Sequence, residues 1–260
     1  MNTFILKLIL APIILGGASL AGRRWGPAVS GWLVGLPLTS GPVIFFIALS
    51  RGVPFAASAI AGTLSGGFSL VAFCVTYARL AIRFNWRLAL TGSMLTYFAI
   101  VLLMQNIIIP TMLLIAAVVL TIVLGLRLMP GNKAMQFNDV QPGRWDIPAR
   151  ILIGTTFILV LTEAAPLLGA RLTGLLATIP LYTAILTVFS HRLNGPAGAA
   201  SVLRGLLFGL FGFAGFFLTL SMLIEKSGIA IGFLSGIFVT LAIQGMTLWL
   251  IHRTAKQEKT

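Results

Sequence analysis

Apolar residues fill nearly the whole chain in segments of about 20 residues, and short gaps between these segments hold most of the charged positions. A helix of about 20 apolar residues is long enough to cross a hydrocarbon core of roughly 30 Å. The pattern predicts nine membrane-spanning helices, at residues 4–21, 27–49, 53–80, 88–105, 107–129, 147–168, 172–189, 197–224 and 229–251. Little sequence is left for a soluble domain, so we expect an all-α integral membrane protein.

Proline interrupts two of the predicted helices near their centres. The second helix contains Pro-Leu-Thr-Ser-Gly-Pro at 37–42, and the seventh contains Pro-Leu-Tyr-Thr at 180–183. Proline removes a backbone donor, and irregular backbone inside a bilayer is tolerated only against protein or a polar cavity. One interpretation is a pair of kinks that serve packing alone. The other is a substrate-binding site lined by Pro37, Thr39, Ser40, Pro180, Tyr182 and Thr183.

The two interrupted helices belong to an internal repeat. A shift of 143 positions, the repeat offset, aligns residues 26–73 with residues 169–216 without a gap, and 15 of the 48 aligned pairs are identical. Helices one to four then correspond to helices six to nine, and the fifth is an unpaired connector. Because five spans separate equivalent helices, the two copies run in opposite directions. We therefore expect a 4+1+4 inverted-topology repeat, a recurrent design of secondary transporters.

This repeat predicts the domain organisation. Residues 1–129 form the first repeat and the connector helix, residues 130–146 form a cytoplasmic linker, and residues 147–260 form the second repeat and a short tail. The start of the chain resembles a secretory signal, but we expect it to be retained. Arg23 and Arg24 follow it directly, and the first helix has a counterpart in the second repeat.

The distribution of charged residues predicts the orientation of the chain in the membrane. Only 9% of the residues are charged, against roughly 25% in soluble domains, and the net charge is +13. Thirteen of the 18 basic residues lie on the side of the first loop and four on the other. The positive-inside rule then places the N-terminus outside and the C-terminus in the cytoplasm. Since the basic residues lie in short gaps between apolar segments, we expect membrane lipids and no nucleic acid as partners.

Two charged residues within predicted helices have alternative roles. Glu163 is a candidate proton carrier, or it pairs with Arg171 or caps helix seven at the interface. Arg204 either binds an anionic group of a substrate or extends its side chain to the lipid headgroups. Tyr97 and Gln244, polar residues in helices four and nine, are expected to form interhelical hydrogen bonds.

Glycines with a spacing of four form small-residue faces in helices three and eight. The first pair is Gly62 and Gly66, and the second is Gly205 and Gly209. Such faces allow helices to approach closely. We expect packing within the chain, with a homodimer through these glycine faces as the alternative.

The sequence lacks the residue patterns of several enzyme classes. No cluster of His, Cys and acidic residues suggests a metal site, and no paired carboxylates or glycine-rich ATP loop is present. The chain is not expected to be an enzyme, to have catalytic residues or to need a cofactor. We expect a secondary transporter for a small polar or anionic solute. The alternatives are a lipid translocase and a membrane assembly or scaffold protein.

Each half also carries a local motif, Gly31 or Gly174 followed by five residues and then Pro, Leu and a hydroxyl residue. In this motif each half resembles the small four-helix bacterial membrane proteins of the GlpM type. The resemblance implies a fused, doubled form of such a protein in a bacterial inner membrane, and it implies no site residues.

Overall fold

The computed structural model describes residues 3–25, 36–130 and 146–257, which form helices joined by short turns, with no strand among them. The helices are α1 (Thr3–Trp25), α2 (Ser40–Arg51), α3 (Val53–Ala81), α4 (Trp86–Met104), α5 (Thr111–Leu128), α6 (Asp146–Leu168), α7 (Ala170–Leu176) and α8 (Leu181–Gln257). Non-helical backbone at Gly195 and Gly228 divides α8 into three segments, α8a (181–194), α8b (196–227) and α8c (229–257).

The helices suit a membrane. Within the described ranges, five helical stretches are long and apolar enough to cross a bilayer: Val53–Ala81, Trp86–Met104, Thr111–Leu128, Ile151–Leu168 and Ala170–Thr247. Large apolar side chains are exposed on the outer surface, including Leu167 at 91% and Ile108 at 85%. Lipid is the medium in which such a surface is stable. The prediction of an all-helical, membrane-embedded protein is therefore confirmed at this level.

α3 is the central helix of the bundle. In the most apolar stretch of 18 residues in α3, 72% of the residues are buried. The corresponding buried fraction is 22% in α4 and 22% in α5. α3 packs mainly against α4, α7 and α8. Gly62 of α3 lies against Arg171, Gly66 against Thr178, and a residue further along α3, Tyr77, contacts His191. The residue numbers on the two sides of these contacts increase in the same direction, so α3 runs parallel to α7 and α8a.

Helix boundaries in the two parts of the chain coincide at the repeat offset. α1 and α6 both have 23 residues, and their first residues, Thr3 and Asp146, differ by this offset. Gly52 separates α2 from α3, and Gly195 separates α8a from α8b. Both glycines have positive φ, at 87° and 67°, with extended ψ, a conformation that residues with a side chain rarely adopt. The starts of α4 and α8c also differ by the repeat offset.

The predicted seventh helix, at residues 172–189, is two helices in the structure. α7 ends at Leu176, and α8 begins at Leu181 directly after Pro180. α8a then continues to residue 194, beyond the predicted end, because the next helix-breaking residue is Gly195. The first part of the predicted second helix and nearly all of the predicted linker, at 26–35 and 131–145, lie outside the described residues.

Candidate functional site

The two helix breaks face one another across an internal cavity. Residues 36–39 precede α2 and residues 177–180 separate α7 from α8, and both breaks line one cavity of about 40 Å³. The polar lining residues are Thr39, Ser40, Thr178, Tyr182 and Thr183. Apolar residues of α3 and α8b complete the wall, namely Leu70, Leu206, Leu210 and Phe213. Five residues predicted for the site thus line the cavity: Thr39, Ser40, Pro180, Tyr182 and Thr183.

The main chain has the same hydrogen bonds at both breaks. Two pairs of bonds correspond at the repeat offset: Leu38 N to Leu36 O (2.7 Å) and Leu181 N to Ile179 O (2.8 Å), and Gly41 N to Pro37 O (2.8 Å) and Ala184 N to Pro180 O (2.7 Å). Pro180 directly precedes α8, and Pro37 lies three residues before the first residue of α2. Because each proline lies outside the helix that follows it, its missing N–H needs no acceptor. The N-terminal ends of α2 and α8a therefore both lie at the cavity, and each carries a partial positive charge.

The hydroxyl groups at the cavity are shielded from the outside. Ser40, Thr178 and Thr183 are only 3–4% exposed. The Thr178 hydroxyl donates to the Leu175 carbonyl at 2.7 Å. From α4, the Tyr97 hydroxyl also donates to Leu175 O at 3.0 Å and lies 2.9 Å from Thr178 Oγ1. Tyr97 therefore forms the interhelical hydrogen bonds that the sequence predicted, and it holds the end of α7 at the cavity.

A larger apolar pocket adjoins the cavity. It measures about 380 Å³ and shares Leu36 and Leu38 with the cavity wall. The sixth predicted site residue of the breaks, Pro37, lines this pocket instead of the cavity. The rest of its lining comes mainly from α1, α2 and α8, and includes Leu10, Ile14, Gly41, Pro42, Phe45, Phe216, Phe233 and Ile237. A polar cavity and an apolar pocket of ligand size thus meet at the first break.

The two charged candidates lie away from the cavity lining. Glu163 accepts a hydrogen bond from Lys7 Nζ at 2.8 Å, and its side chain is 61% exposed whereas that of Lys7 is 2% exposed. Arg171, the partner predicted for Glu163, donates instead to the carbonyl of Met104 at 2.9 Å. Arg204 donates to the carbonyl of Pro130 at 2.7 Å. The long Arg204 side chain therefore extends toward the end of α5 and not into the cavity.

Basic side chains gather at two opposite ends of the helices. At one end Arg87 and Arg192 both lie over the ring of Trp86, at 5.3 and 5.8 Å. At the other end Arg171 binds Met104, the last residue of α4. These groupings agree with the sides to which the sequence assigned the same arginines.

Three glycines of the small-residue faces, Gly62, Gly66 and Gly209, pack within the chain. A methyl group on Gly62 or Gly66 would collide with Arg171 or Thr178, both of which belong to the segment around α7. Gly209 O accepts a hydrogen bond from the side chain of Gln244 at 3.1 Å. The predicted packing role of Gly62 and Gly66, and the predicted interhelical bond of Gln244, are confirmed.

One polar cluster was not predicted from the sequence. His191 is 9% exposed, and its Nδ1 lies 3.3 Å from the hydroxyl of the fully buried Tyr77. The predicted seventh helix ended at residue 189, so His191 lay outside it and no role was predicted for this histidine. The signal was the spacing of Thr183, Thr187 and His191 at intervals of four, which puts all three on one face of a continuing helix.

Comparison with known proteins gives no match to this chain among family models, curated proteins or solved structures.

Proposed function

We propose that this protein is a membrane transporter that works by alternating access, with its binding site at the cavity between the two helix breaks. The observation that carries the proposal is that both proline-containing breaks, each followed by a helix, meet at one hydroxyl-lined cavity. Irregular backbone within a membrane is expected where it lines a cavity, and paired discontinuous helices are a frequent substrate site in transporters.

We further propose the complete 4+1+4 arrangement of nine spans as an inverted repeat. The coincidence of helix boundaries and of break hydrogen bonds at the repeat offset supports it. The separation of Arg87 and Arg192 from Arg171 supports an outside N-terminus and a cytoplasmic C-terminus. The resemblance of each half to GlpM-type proteins favours a bacterial inner membrane.

The cavity lining favours a small polar or anionic group on the substrate. Hydroxyls can donate to it, and the N-termini of α2 and α8a favour negative charge. Arg204 is not required for this proposal, because its guanidinium binds Pro130. A volume of about 40 Å³ is enough for a few water molecules only. The structure therefore corresponds to a closed state, and substrate binding requires the two breaks to move apart.

Lipid translocation is a second candidate, favoured by the apolar pocket of about 380 Å³ beside the cavity. In this mechanism a lipid headgroup occupies the hydroxyl-lined cavity, while an acyl chain lies against Pro37, Phe45 and Phe216. An assembly or scaffold role gains no support from Gly62, Gly66 or Gly209, because these three glycines already pack within the chain.

Uptake into proteoliposomes, screened over small organic anions and neutral polar solutes, tests the proposal. Replacing both Pro37 and Pro180 with alanine is expected to abolish uptake, because helical backbone then becomes favourable at the two breaks that line the cavity. Pro166→Ala is the control, since Pro166 lies inside the continuous helix α6, is exposed and is outside the cavity lining. Full uptake by the double variant would refute the proposed site. Scrambling of labelled phospholipids in the same vesicles distinguishes lipid translocation from solute uptake.

A further inference from the structure

One face of α8a carries a line of polar side chains that starts at the cavity. The line consists of Thr183, Thr187, His191 and Asn194, at spacings of four, four and three. Thr183 lines the cavity, Thr187 is fully buried, and His191 is 9% exposed. The line therefore connects the cavity with the end of α8a that bears Arg192.

The corresponding face of α2 is apolar in its middle part. At the repeat offset, Thr187 corresponds to Ile44 and His191 to Ala48. Ile44 is fully buried and Ala48 is 3% exposed. The two faces are therefore similarly buried, but the face of α8a is polar and the face of α2 is apolar at these positions. The shared helix breaks do not explain the polar line, because only the second copy has it.

Two buried polar atoms on this face have no hydrogen-bonding partner among the described residues. They are Thr187 Oγ1 and Asn194 Oδ1. Other helical threonines of this chain, such as Thr63 and Thr162, donate to a carbonyl one turn earlier. Buried polar groups without protein partners are usually satisfied by water. Their clustering along α8a indicates a hydrated face.

His191 is the titratable group on this face, and Tyr77 is its partner. The Tyr77 hydroxyl can donate to Nδ1 of neutral histidine or accept from Nδ1–H of the imidazolium, so this pair accommodates both forms. The neighbouring basic groups have other partners: Arg192 lies over Trp86, Arg79 donates to the Leu128 carbonyl, and Arg204 donates to Pro130. Neither of two acidic side chains reaches this face. Glu163 accepts a hydrogen bond from Lys7, and Glu225 lies near the end of α8b that is farther from α8a.

We propose that this face of α8a is a water-filled path from the cytoplasmic end to the cavity, and that His191 is its proton-binding residue. A proton from water on that side binds the neutral imidazole, and the resulting imidazolium donates to Tyr77. Coupling of this proton to substrate movement rests on the proposed transport function. Hydration of the path and titration of His191 do not.

Cysteine accessibility tests the path without any substrate. The chain has a single cysteine, so Cys74→Ser provides a cysteine-free background. In that background Thr187→Cys is compared with Ile44→Cys, its equally buried counterpart on α2. The probe is a membrane-impermeant cationic methanethiosulfonate, applied to Thr187→Cys from the cytoplasmic side and to Ile44→Cys from the opposite side, because the inverted repeat turns the end of α2 toward that side. We expect Thr187→Cys to react at least tenfold faster than Ile44→Cys. Thr183→Cys, on the same face, serves if Thr187→Cys fails to fold.

The pH dependence of the same reaction tests the proton site. Protonated His191 repels the cationic probe, so the rate at Thr187→Cys is expected to fall at least threefold as His191 is protonated. His191→Gln should remove this step while the ordinary thiol titration remains. Equal rates at Thr187→Cys and Ile44→Cys would overturn the path, and an unchanged pH profile in His191→Gln would overturn the proton site.

The coupling is tested separately by uptake with and without an inward proton gradient. Stimulation at least fivefold by the gradient, lost in His191→Gln, is the expected result. Uptake that the gradient does not change would overturn the coupling. If no solute is taken up at all, the proposed transport function fails, while the cysteine experiment still decides whether the path exists.

Discussion

Gly174 offers the sharpest test of how the cavity is built. Gly174 lies in α7 where this helix crosses α3, one turn before Thr178. A methyl group at Gly174 would overlap the Ala59 carbonyl oxygen and lie 2.8 Å from Thr63 N, where ordinary contact begins at 3.4 Å. Both groups are main-chain atoms, so no side-chain rotation relieves the collision. Gly174→Ala must therefore push α7 away from α3 by roughly an ångström or more.

The expected cost follows from this geometry. Overpacking of a tight core costs about 1–3 kcal/mol, and backbone atoms on the other side of the contact favour the upper end of that range. Alanine in a helix returns about 0.5–1 kcal/mol relative to glycine. A net loss of about 2 kcal/mol remains, which corresponds to a midpoint of thermal unfolding lower by roughly 4–8 °C. Thr178 moves with α7, so its bond to Tyr97 is broken and substrate uptake should also decrease.

Thermal unfolding of the purified protein in detergent, with Gly245→Ala as control, measures the effect. Gly245 lies in the same kind of apolar helix, but nothing lies within 4 Å of the position of an added methyl group. Gly245→Ala should therefore leave the midpoint unchanged or raise it slightly. Equal midpoints for the two variants would refute the close crossing of α3 and α7, and with it the placement of Thr178 at the cavity.

Three further changes address the surroundings of the cavity. Tyr97→Phe should lower the free energy of unfolding by about 1 kcal/mol in denaturant titrations and slow uptake, because it removes the hydroxyl that binds Thr178; unchanged uptake would show that this bond does not position the site. Glu163→Gln should cost about 1–2 kcal/mol because it leaves the buried Lys7 ammonium without its counter-charge, and addition of Lys7→Met should recover most of the loss; additive losses in the double-mutant cycle would contradict this. Gly41→Leu should fill the apolar pocket and block lipid scrambling while solute uptake continues; undiminished scrambling would exclude the pocket as an acyl-chain site.

The positions of the helix breaks were predictable from proline and the internal repeat together. Pro37 and Pro180 cannot donate a hydrogen bond and so favour an interruption, but proline alone does not decide it, because α1 and α6 continue through Pro12 and Pro166. The repetition of Pro37 and Pro180 at one spacing indicated that the breaks belong together. The direction of Arg204 was not predictable, because a long side chain can extend to several acceptors and Pro130 is brought near only by the packing of α5 against α8.

The prediction from hydropathy placed the C-terminal end of the seventh helix too early in the chain. The apolar run stops at Phe189, so the prediction ended there, whereas the helix continues until Gly195 permits a change of direction. The missing turn contains His191, and this is why a buried histidine was overlooked. The Lys7–Glu163 pair was missed for a different reason, since it depends on the packing of α1 against α6, which no local pattern reports.

The two halves of the chain thus share their backbone design but differ in side-chain chemistry. Shared features, such as the proline-containing breaks at 37 and 180, are what an alternating mechanism needs, because each half must be able to adopt the conformation of the other. The polar face with Thr187 and His191 occurs in one half only, so the proposed proton path would open to one side of the membrane only. Exchange of Ile44 and Thr187 between the halves should therefore leave equilibrium exchange of substrate intact while it abolishes accumulation driven by a proton gradient.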